Sequence, residues 1–189
     1  KMNHVKAGVV VVTKFCKSSS KAFSSYIDYV DREEAARSNN TSKYNLYQDY
    51  MGNPEKSTGL FTETGDVQTM EDKTKLKDIF KQAQSKDSLM WQTVISFDNK
   101  WLEKNGLYSS RDKILDEERL KGITRSAVHK MLEKEGLQNA VWSAAIHYNT
   151  DNIHVHIATV EPEPMREKKK YIQYRNREVN GKRVKEPIL

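Results

Sequence analysis

The sequence lacks the features that mark disulfide-stabilised, secreted or membrane-spanning proteins. Cys16 is its one cysteine, so no disulfide can form within the chain. No segment approaches the roughly 18 consecutive apolar residues of a membrane span, and the first residues contain no apolar signal segment. No internal repeat is evident. We therefore expect a soluble, cytoplasmic globular protein with no membrane partner.

The length and composition suit one domain with a real hydrophobic core. The 189 residues are 37% hydrophobic and 31% charged, a balance typical of globular proteins. We expect residues 1–165 to form this domain and residues 166–189 to form a short extension. Because no terminal cap is evident at the end of the sequence, we expect the native chain to continue beyond it.

The most informative stretch is residues 147–157, which contains three of the five histidines. Apolar segments flank the polar residues 149–152, and this pattern predicts two antiparallel strands joined by a turn. If the hairpin is symmetric about that turn, His147 lies directly opposite His154. His156 is two residues further along the strand and points to the same face. The sequence therefore predicts three imidazoles on one face of a sheet.

Three neutral imidazoles on a rigid sheet face form the protein part of a catalytic metal site, with coordination positions left open for water or substrate. Solvent-exposed or structural histidines are the alternative, but the third histidine at the matching register favours a metal. Imidazole ligands favour a transition metal over Mg²⁺, although the open positions and phosphate oxygens would admit Mg²⁺ or Mn²⁺; Zn²⁺ is a further candidate. The small neighbours on this face, Ser143, Ala145 and Ala158, are expected to leave room for a substrate.

Positive charge is concentrated in the extension. The formal net charge is +6, and from residue 161 onward nine Lys and Arg stand against five Glu. The Asn180-Gly181 pair predicts a hairpin there, and so a basic β-ribbon. Beside a metal site, such a ribbon is suited to a phosphate backbone. The side chains expected to contact DNA are Lys168, Lys169, Lys170, Arg175, Arg177, Lys182 and Arg183.

The order of predicted elements indicates an α+β fold. Residues 5–15 are nearly continuous in β-branched side chains, which predicts a central strand buried on both faces, and residues 89–97 predict a second strand. Thr124 is the expected N-cap of the last helix, and residues 109–112 are expected to cap the stretch before it. Amphipathic spacing predicts helices at residues 22–37, 69–85 and 124–135. We expect a mostly antiparallel sheet with helices packed on it.

The histidine motif resembles that of a known enzyme family. The pattern His147-x6-His154-x-His156 is similar to the metal motif of conjugative relaxases of the MobP class. These relaxases belong to the HUH endonucleases, named for two histidines around one apolar residue, here Val155. Residues 26–33 resemble the family's first motif, which carries a nucleophilic tyrosine. The resemblance implies an HUH relaxase-like fold.

Residues 91–98 resemble the middle motif of the Gram-positive branch, and the likeness extends from about residue 23 to residue 160. It implies a nickase that acts on single-stranded or extruded DNA at the transfer origin of a plasmid or integrative element. A tyrosine would attack one phosphodiester, become linked to the 5′ phosphate and leave a free 3′ hydroxyl, in a reversible reaction. A divalent metal, accessory relaxosome proteins and a coupling protein are implied as cofactor and partners.

Two tyrosines compete for the role of nucleophile. Tyr29 fits the family motif better because an apolar residue and then a polar, Arg-containing run follow it, while Tyr26 is the alternative. A phenol needs a base or a metal nearby to react. Asp98 could act as that base or orient a histidine, or it could be an ordinary carboxylate at the end of a strand.

Two other functions are consistent with the sequence. A rolling-circle replication initiator would use the same chemistry, but its tyrosine usually follows the histidine motif, and here Tyr171 and Tyr174 lie in the basic ribbon. A non-enzymatic DNA-binding module with a structural metal would normally need a fourth ligand, for which the sequence offers no strong candidate.

Overall fold

The computed structural model describes residues 7–18, 52, 59–147, 152–165 and 174–187. The helix predicted at residues 22–37 lies outside the described residues. The described strands are β1 (Val9–Cys16), β2 (Phe61–Thr62), β3 (Met90–Phe97), β4 (Tyr108–Ser109), β5 (Ile114–Leu115), β6 (Val141–His147), β7 (Ile153–Val160), β8 (Tyr174–Val179) and β9 (Lys182–Pro187). The described helices are α1 (Met70–Ser85), α2 (Asn99–Lys104) and α3 (Glu117–Glu135).

Five of the described strands form the central sheet in the order β1-β3-β7-β6-β2, and every neighbouring pair is antiparallel. Helices pack on both of its faces. The predicted α+β fold with a mostly antiparallel sheet is therefore confirmed, and it is compatible with a relaxase-like fold. Within the described ranges, no helix has both the length and the apolar character needed to cross a membrane.

The predicted position of the first strand was wrong. β1 lies at an edge of the central sheet, paired with β3, and its valines are exposed, from 37% at Val9 to 57% at Val11. The run of β-branched residues correctly indicated an extended backbone. Burial depends instead on which elements pack against the strand, and a short apolar segment does not specify that.

Helix α1 packs on the face of the sheet that carries the histidines. Its N-cap is Thr69, whose Oγ1 accepts a hydrogen bond of 3.1 Å from the backbone N–H of Asp72. Phe80 of this helix shares a hydrophobic cluster with Ala145 and Ala158 of the sheet, and all three are fully buried. The expectation that these small residues leave room for a substrate was wrong, because they accommodate α1.

Helix α3 covers the opposite face. Its buried Leu120 and Val128 belong to a cluster with the inward side chains of the β6–β7 hairpin. The face of the hairpin opposite the histidines is therefore apolar. Its side chains in this cluster include Trp142, Ile146, Val155 and Ile157.

Helix α3 begins earlier than predicted. Asp116 is its N-cap, accepting a hydrogen bond from the N–H of Arg119 at 3.1 Å. Thr124 lies inside the helix, where its hydroxyl donates to the carbonyl of Leu120 at 2.9 Å, so the N-cap assignment was wrong. A threonine can satisfy its hydroxyl within a helix in this way. Gly136 ends the helix with φ of 66°, in the left-handed conformation that glycine adopts readily.

The predicted C-terminal ribbon is present as β8 and β9. Asn180 and Gly181 form its two-residue turn with φ of 51° and 75°. Positive φ at both central residues is the requirement of a type I′ turn, whose twist matches that of the flanking strands. Asn-Gly satisfies this requirement with little strain, and the prediction of a hairpin at this pair is confirmed.

Candidate functional site

The β6–β7 hairpin brings three histidines onto one face. His147 pairs directly with His154, and His156 pairs with Ala145. Directly paired residues share a face, as do residues two apart on one strand. The predicted register is therefore confirmed. Strand β3 continues the face on the other side of β7, where Ser96 lies opposite His154.

The three imidazole rings lie close together. The ring centroids of His147 and His156 are 4.3 Å apart with an interplanar angle of 35°, and those of His154 and His156 are 6.2 Å apart at 75°. His147 is buried, with 5% of its surface exposed, whereas the other two are half-buried. The group therefore contains one buried ring and two partly solvent-exposed rings.

The surroundings favour the neutral form of His154 and His156. The pKa of His156 is lowered to about 4. Burial is the largest cause, and the positive charges that His147 and His154 would carry when protonated add to it. Burial also lowers the pKa of His154. A neutral imidazole keeps a lone pair on one ring nitrogen, which is the form that binds a metal.

The donor chemistry of the three rings fits a transition metal. Their arrangement is not that of assembled ligands: within the described part of the chain, no group of three or more His, Cys, Asp or Glu side chains is already placed to hold a metal ion. His147 and His156 lie ring against ring, so shared coordination requires their side chains to rotate. The paired strands set the backbone positions, and rotation about the side-chain bonds does not disturb them.

Asp98 follows β3 and caps helix α2. Its Oδ1 accepts hydrogen bonds from the N–H groups of Lys100 at 3.0 Å and Trp101 at 3.3 Å. These contacts match the sequence alternative of a carboxylate at the end of a strand. We therefore assign no chemical step to Asp98.

The other predicted residues are only partly described. Tyr26 and Tyr29 lie outside the described residues, as do Lys168, Lys169 and Lys170. On the ribbon, the remaining four basic side chains are exposed. Arg175 and Arg177 both pair with Glu186, at 3.4 and 3.6 Å, while Lys182 and Arg183 flank the turn. Glu186 thus partly neutralises one face of the ribbon.

A cavity at the start of β7 was missed by sequence analysis. It borders Ile153, at the start of β7, and the β4–β5 hairpin that contains Tyr108 and Lys113. The prediction that residues 109–112 cap a helix was wrong, because Ser109 ends β4 and residues 110–112 lie in the turn of this hairpin. Two strands of two residues each carry no detectable alternation, so no sequence signal was available.

A family model described as MobL relaxases matches residues 6–185. The chain therefore belongs to the MobL relaxases, a class of DNA endonucleases that act by transesterification and bind single-stranded DNA. Comparison with curated proteins and with solved structures gave no match.

Proposed function

We propose that this relaxase nicks one DNA strand at the transfer origin of a plasmid or integrative element and remains covalently attached to the 5′ phosphate. Membership of the MobL relaxases supports the enzyme class. The observation that carries the site assignment is the pairing of His147 with His154 on the face that also holds His156. The resemblance in residues 26–33 and 91–98 supports assignment to the MobP class and its Gram-positive branch.

The three histidines are the proposed ligands of a divalent metal, with Mn²⁺, Mg²⁺ and Zn²⁺ as candidates. When bound, the metal would polarise the scissile phosphate and stabilise the negative charge that develops during displacement. His154 and His156 are suited to this role because burial lowers the pKa of each, so neither must lose a proton at neutral pH before binding.

The proposed nucleophile is Tyr29, with Tyr26 as the alternative. The phenol oxygen attacks phosphorus while the bond from phosphorus to the 3′ oxygen breaks, giving a 5′ phosphotyrosine and a free 3′ hydroxyl. The phenol proton passes to a base, and the departing oxygen gains a proton. The reverse displacement by the 3′ hydroxyl rejoins the strand. Neither step consumes water or an energy source.

Residues 1–165 are the proposed catalytic domain, and residues 166–189 the proposed DNA-holding extension. Five Lys and Arg and two Glu lie within β8, its turn and β9, so the ribbon is positively charged along its described length. Such a surface attracts phosphate without reading sequence. Accessory relaxosome proteins and a coupling protein are the further partners proposed from the family resemblance.

A covalent-adduct assay tests the function. The chain would be incubated with Mn²⁺ and single-stranded oligonucleotides tiled across the source element, and the products separated on denaturing gels. We expect one tile to give a protein–DNA band that survives denaturation. Tyr29→Phe should abolish the band, and Tyr26→Phe should retain it as the matched control.

The alternative outcomes are distinct. Loss of the band in Tyr26→Phe alone would move the nucleophile to that residue. Salt-dependent DNA binding without a band on any tile, in protein shown to contain metal, would contradict the nickase proposal and favour a DNA-binding module. A band formed on a replication origin instead of a transfer origin would favour a rolling-circle initiator.

A further inference from the structure

The side chain of Asn99 holds the backbone at the start of β7. Its Oδ1 accepts a hydrogen bond of 3.4 Å from the N–H of Ile153. Asn99 is the first residue of α2, and Ile153 is the first residue of β7. Because Ile153 directly precedes His154 in the chain, this contact lies one residue from a histidine of the candidate site.

Asn99 extends from a helix turn that is joined to two strands of the sheet. The residue before it, Asp98, follows the last residue of β3 and caps α2, with its Oδ1 accepting from the N–H groups of Lys100 and Trp101. The N–H of Asp98 donates to the carbonyl of Gly8 at 2.8 Å, and Gly8 directly precedes β1. The first turn of α2 is therefore tied to the end of β3 and the start of β1.

Packing fixes the same turn. The ring centroids of Trp101 and Phe97 are 5.9 Å apart, and a Cβ atom at Gly8 would overlap the indole of Trp101. Leu102, the next residue of the helix, is fully buried in the hydrophobic cluster on the face opposite the histidines. Since α2 is held at these points, the Oδ1 of Asn99 is a fixed acceptor for the N–H of Ile153.

The position of His154 in its strand makes this acceptor important. His154 is the second residue of β7, whereas His156 is the fourth. Backbone near the end of a strand opens more readily than backbone at its centre. Ile153 pairs with Phe97 of β3, and the bond to Asn99 adds a second attachment at the same point. Functional side chains must be held within about 0.5 Å of their working geometry, so a loose start to β7 would displace His154 first.

We propose that Asn99 is a positioning residue for the metal site, which acts by fixing the backbone from which His154 extends. The inference rests on the proposed metal-dependent function. In this role Asn99 contacts Ile153 instead of the metal or the DNA. With the backbone of His154 held in place, rotation about its side-chain bonds is sufficient to bring a ring nitrogen to the ion that it shares with His147 and His156.

The metal affinity of the DNA-free protein tests this role. The Kd for Zn²⁺ would be measured by competition with a chromophoric chelator. We expect Asn99→Ala to bind roughly tenfold more weakly than wild type, and Asn99→Asp, which keeps an oxygen acceptor, to restore most of the affinity. Asn105→Ala is the matched control, because it removes a bond of 2.7 Å from the Asn105 amide to the carbonyl of Trp101 within the same helix. It should bind like wild type.

Amide hydrogen exchange of the metal-free protein separates positioning from general stability. Asn99→Ala should speed exchange at Ile153 and leave exchange at Ile157, in the middle of β7, unchanged. Faster exchange along the whole strand would make Asn99 a general structural residue and overturn the proposal. Equal Zn²⁺ affinity of wild type and Asn99→Ala would overturn the positioning role alone. Failure of wild type to bind metal would overturn the proposed metal site and this inference together.

Discussion

The Nζ of Lys121 lies 3.1 Å from both carboxylate oxygens of Asp66, in a pair that joins α3 to the turn after β2. The lysine side chain is only 7% exposed. Glu118 contacts the same ammonium at 3.3 Å, and the ammonium lies 5.7 Å from the ring centroid of Phe61. The ion pair therefore joins the turn after β2 to α3, in addition to the pairing of β2 with β6.

Asp66→Asn should destabilise the protein substantially. The change leaves the buried ammonium of Lys121 without its main counter-charge, and we expect the free energy of unfolding to fall by on the order of 2 kcal/mol. Chemical denaturation monitored by tryptophan fluorescence would measure it. Glu71→Gln is the control, because its pair with Lys75 is largely exposed and should contribute under about 1 kcal/mol. Equal effects of the two changes would contradict a stabilising role for the buried pair.

The stability of the metal-free protein should fall as the pH drops from 7 to 5. The pKa of His156 is lowered from 6.5 to about 4 in the folded state, so between these values the unfolded chain binds more protons. The stability that this pKa shift provides is fully present above about pH 6.5 and is lost as the pH falls towards 4. By pH 5 the loss amounts to about 2 kcal/mol. Denaturation in EDTA at several pH values would measure this slope.

His156→Gln should flatten the slope, because the glutamine does not titrate. His129 is exposed, with Glu63 3.7 Å from its Nδ1, and His129→Gln should keep the wild-type dependence. A slope that survives His156→Gln would assign the acid sensitivity to other groups.

Addition of Mn²⁺ or Zn²⁺ to metal-free protein should raise its melting temperature, because a ligand that binds only the folded state stabilises it. At a metal concentration of 100 times Kd, the gain should be about 2.7 kcal/mol. His154→Ala should remove most of this gain, while His129→Ala should retain it. This experiment needs no DNA, so it tests the proposed metal site independently of nicking. Equal stabilisation of both variants would place the metal elsewhere.

Ribbon charge should control the salt dependence of DNA binding. Arg177→Ala should weaken binding across sequences and reduce the magnitude of the slope of log K against log salt by about 0.7. Glu186→Gln should strengthen binding, because it releases Arg175 and Arg177 from their shared partner. Fluorescence anisotropy with a labelled single strand measures both effects. Lys81→Ala, at an exposed position on α1, is the control. If Lys81→Ala changed the slope as much as Arg177→Ala, the result would argue against a specific role for the ribbon.

Local patterns were sufficient to predict the histidine face. The alternation of side chains in β6 and β7 and the polar residues between them determine which positions oppose each other. The placement of His154 opposite His147 could therefore be derived without any long-range information. The β8–β9 turn was predictable for a similar reason, because Asn180 and Gly181 have a specific backbone preference.

Features that depend on distant partners could not be predicted in this way. The edge position of β1 follows from the order of the strands in the sheet. A run of valines favours a strand but does not specify its neighbours. The space beside Ala145 and Ala158 is filled by a helix from a different part of the sequence. The cavity beside Ile153 combines residues from β7, α2 and the β4–β5 hairpin, and none of these segments indicates the others.

The alternation along β7 also limits how this protein can change length during evolution. Insertion of one residue between Ile153 and His154 would turn His154 and His156 towards the core beneath α3 and direct Val155 and Ile157 to the opposite face. A two-residue insertion would preserve the facing of every side chain. Odd and even changes in this strand therefore have different consequences, and relatives that differ in length here should differ by an even number of residues.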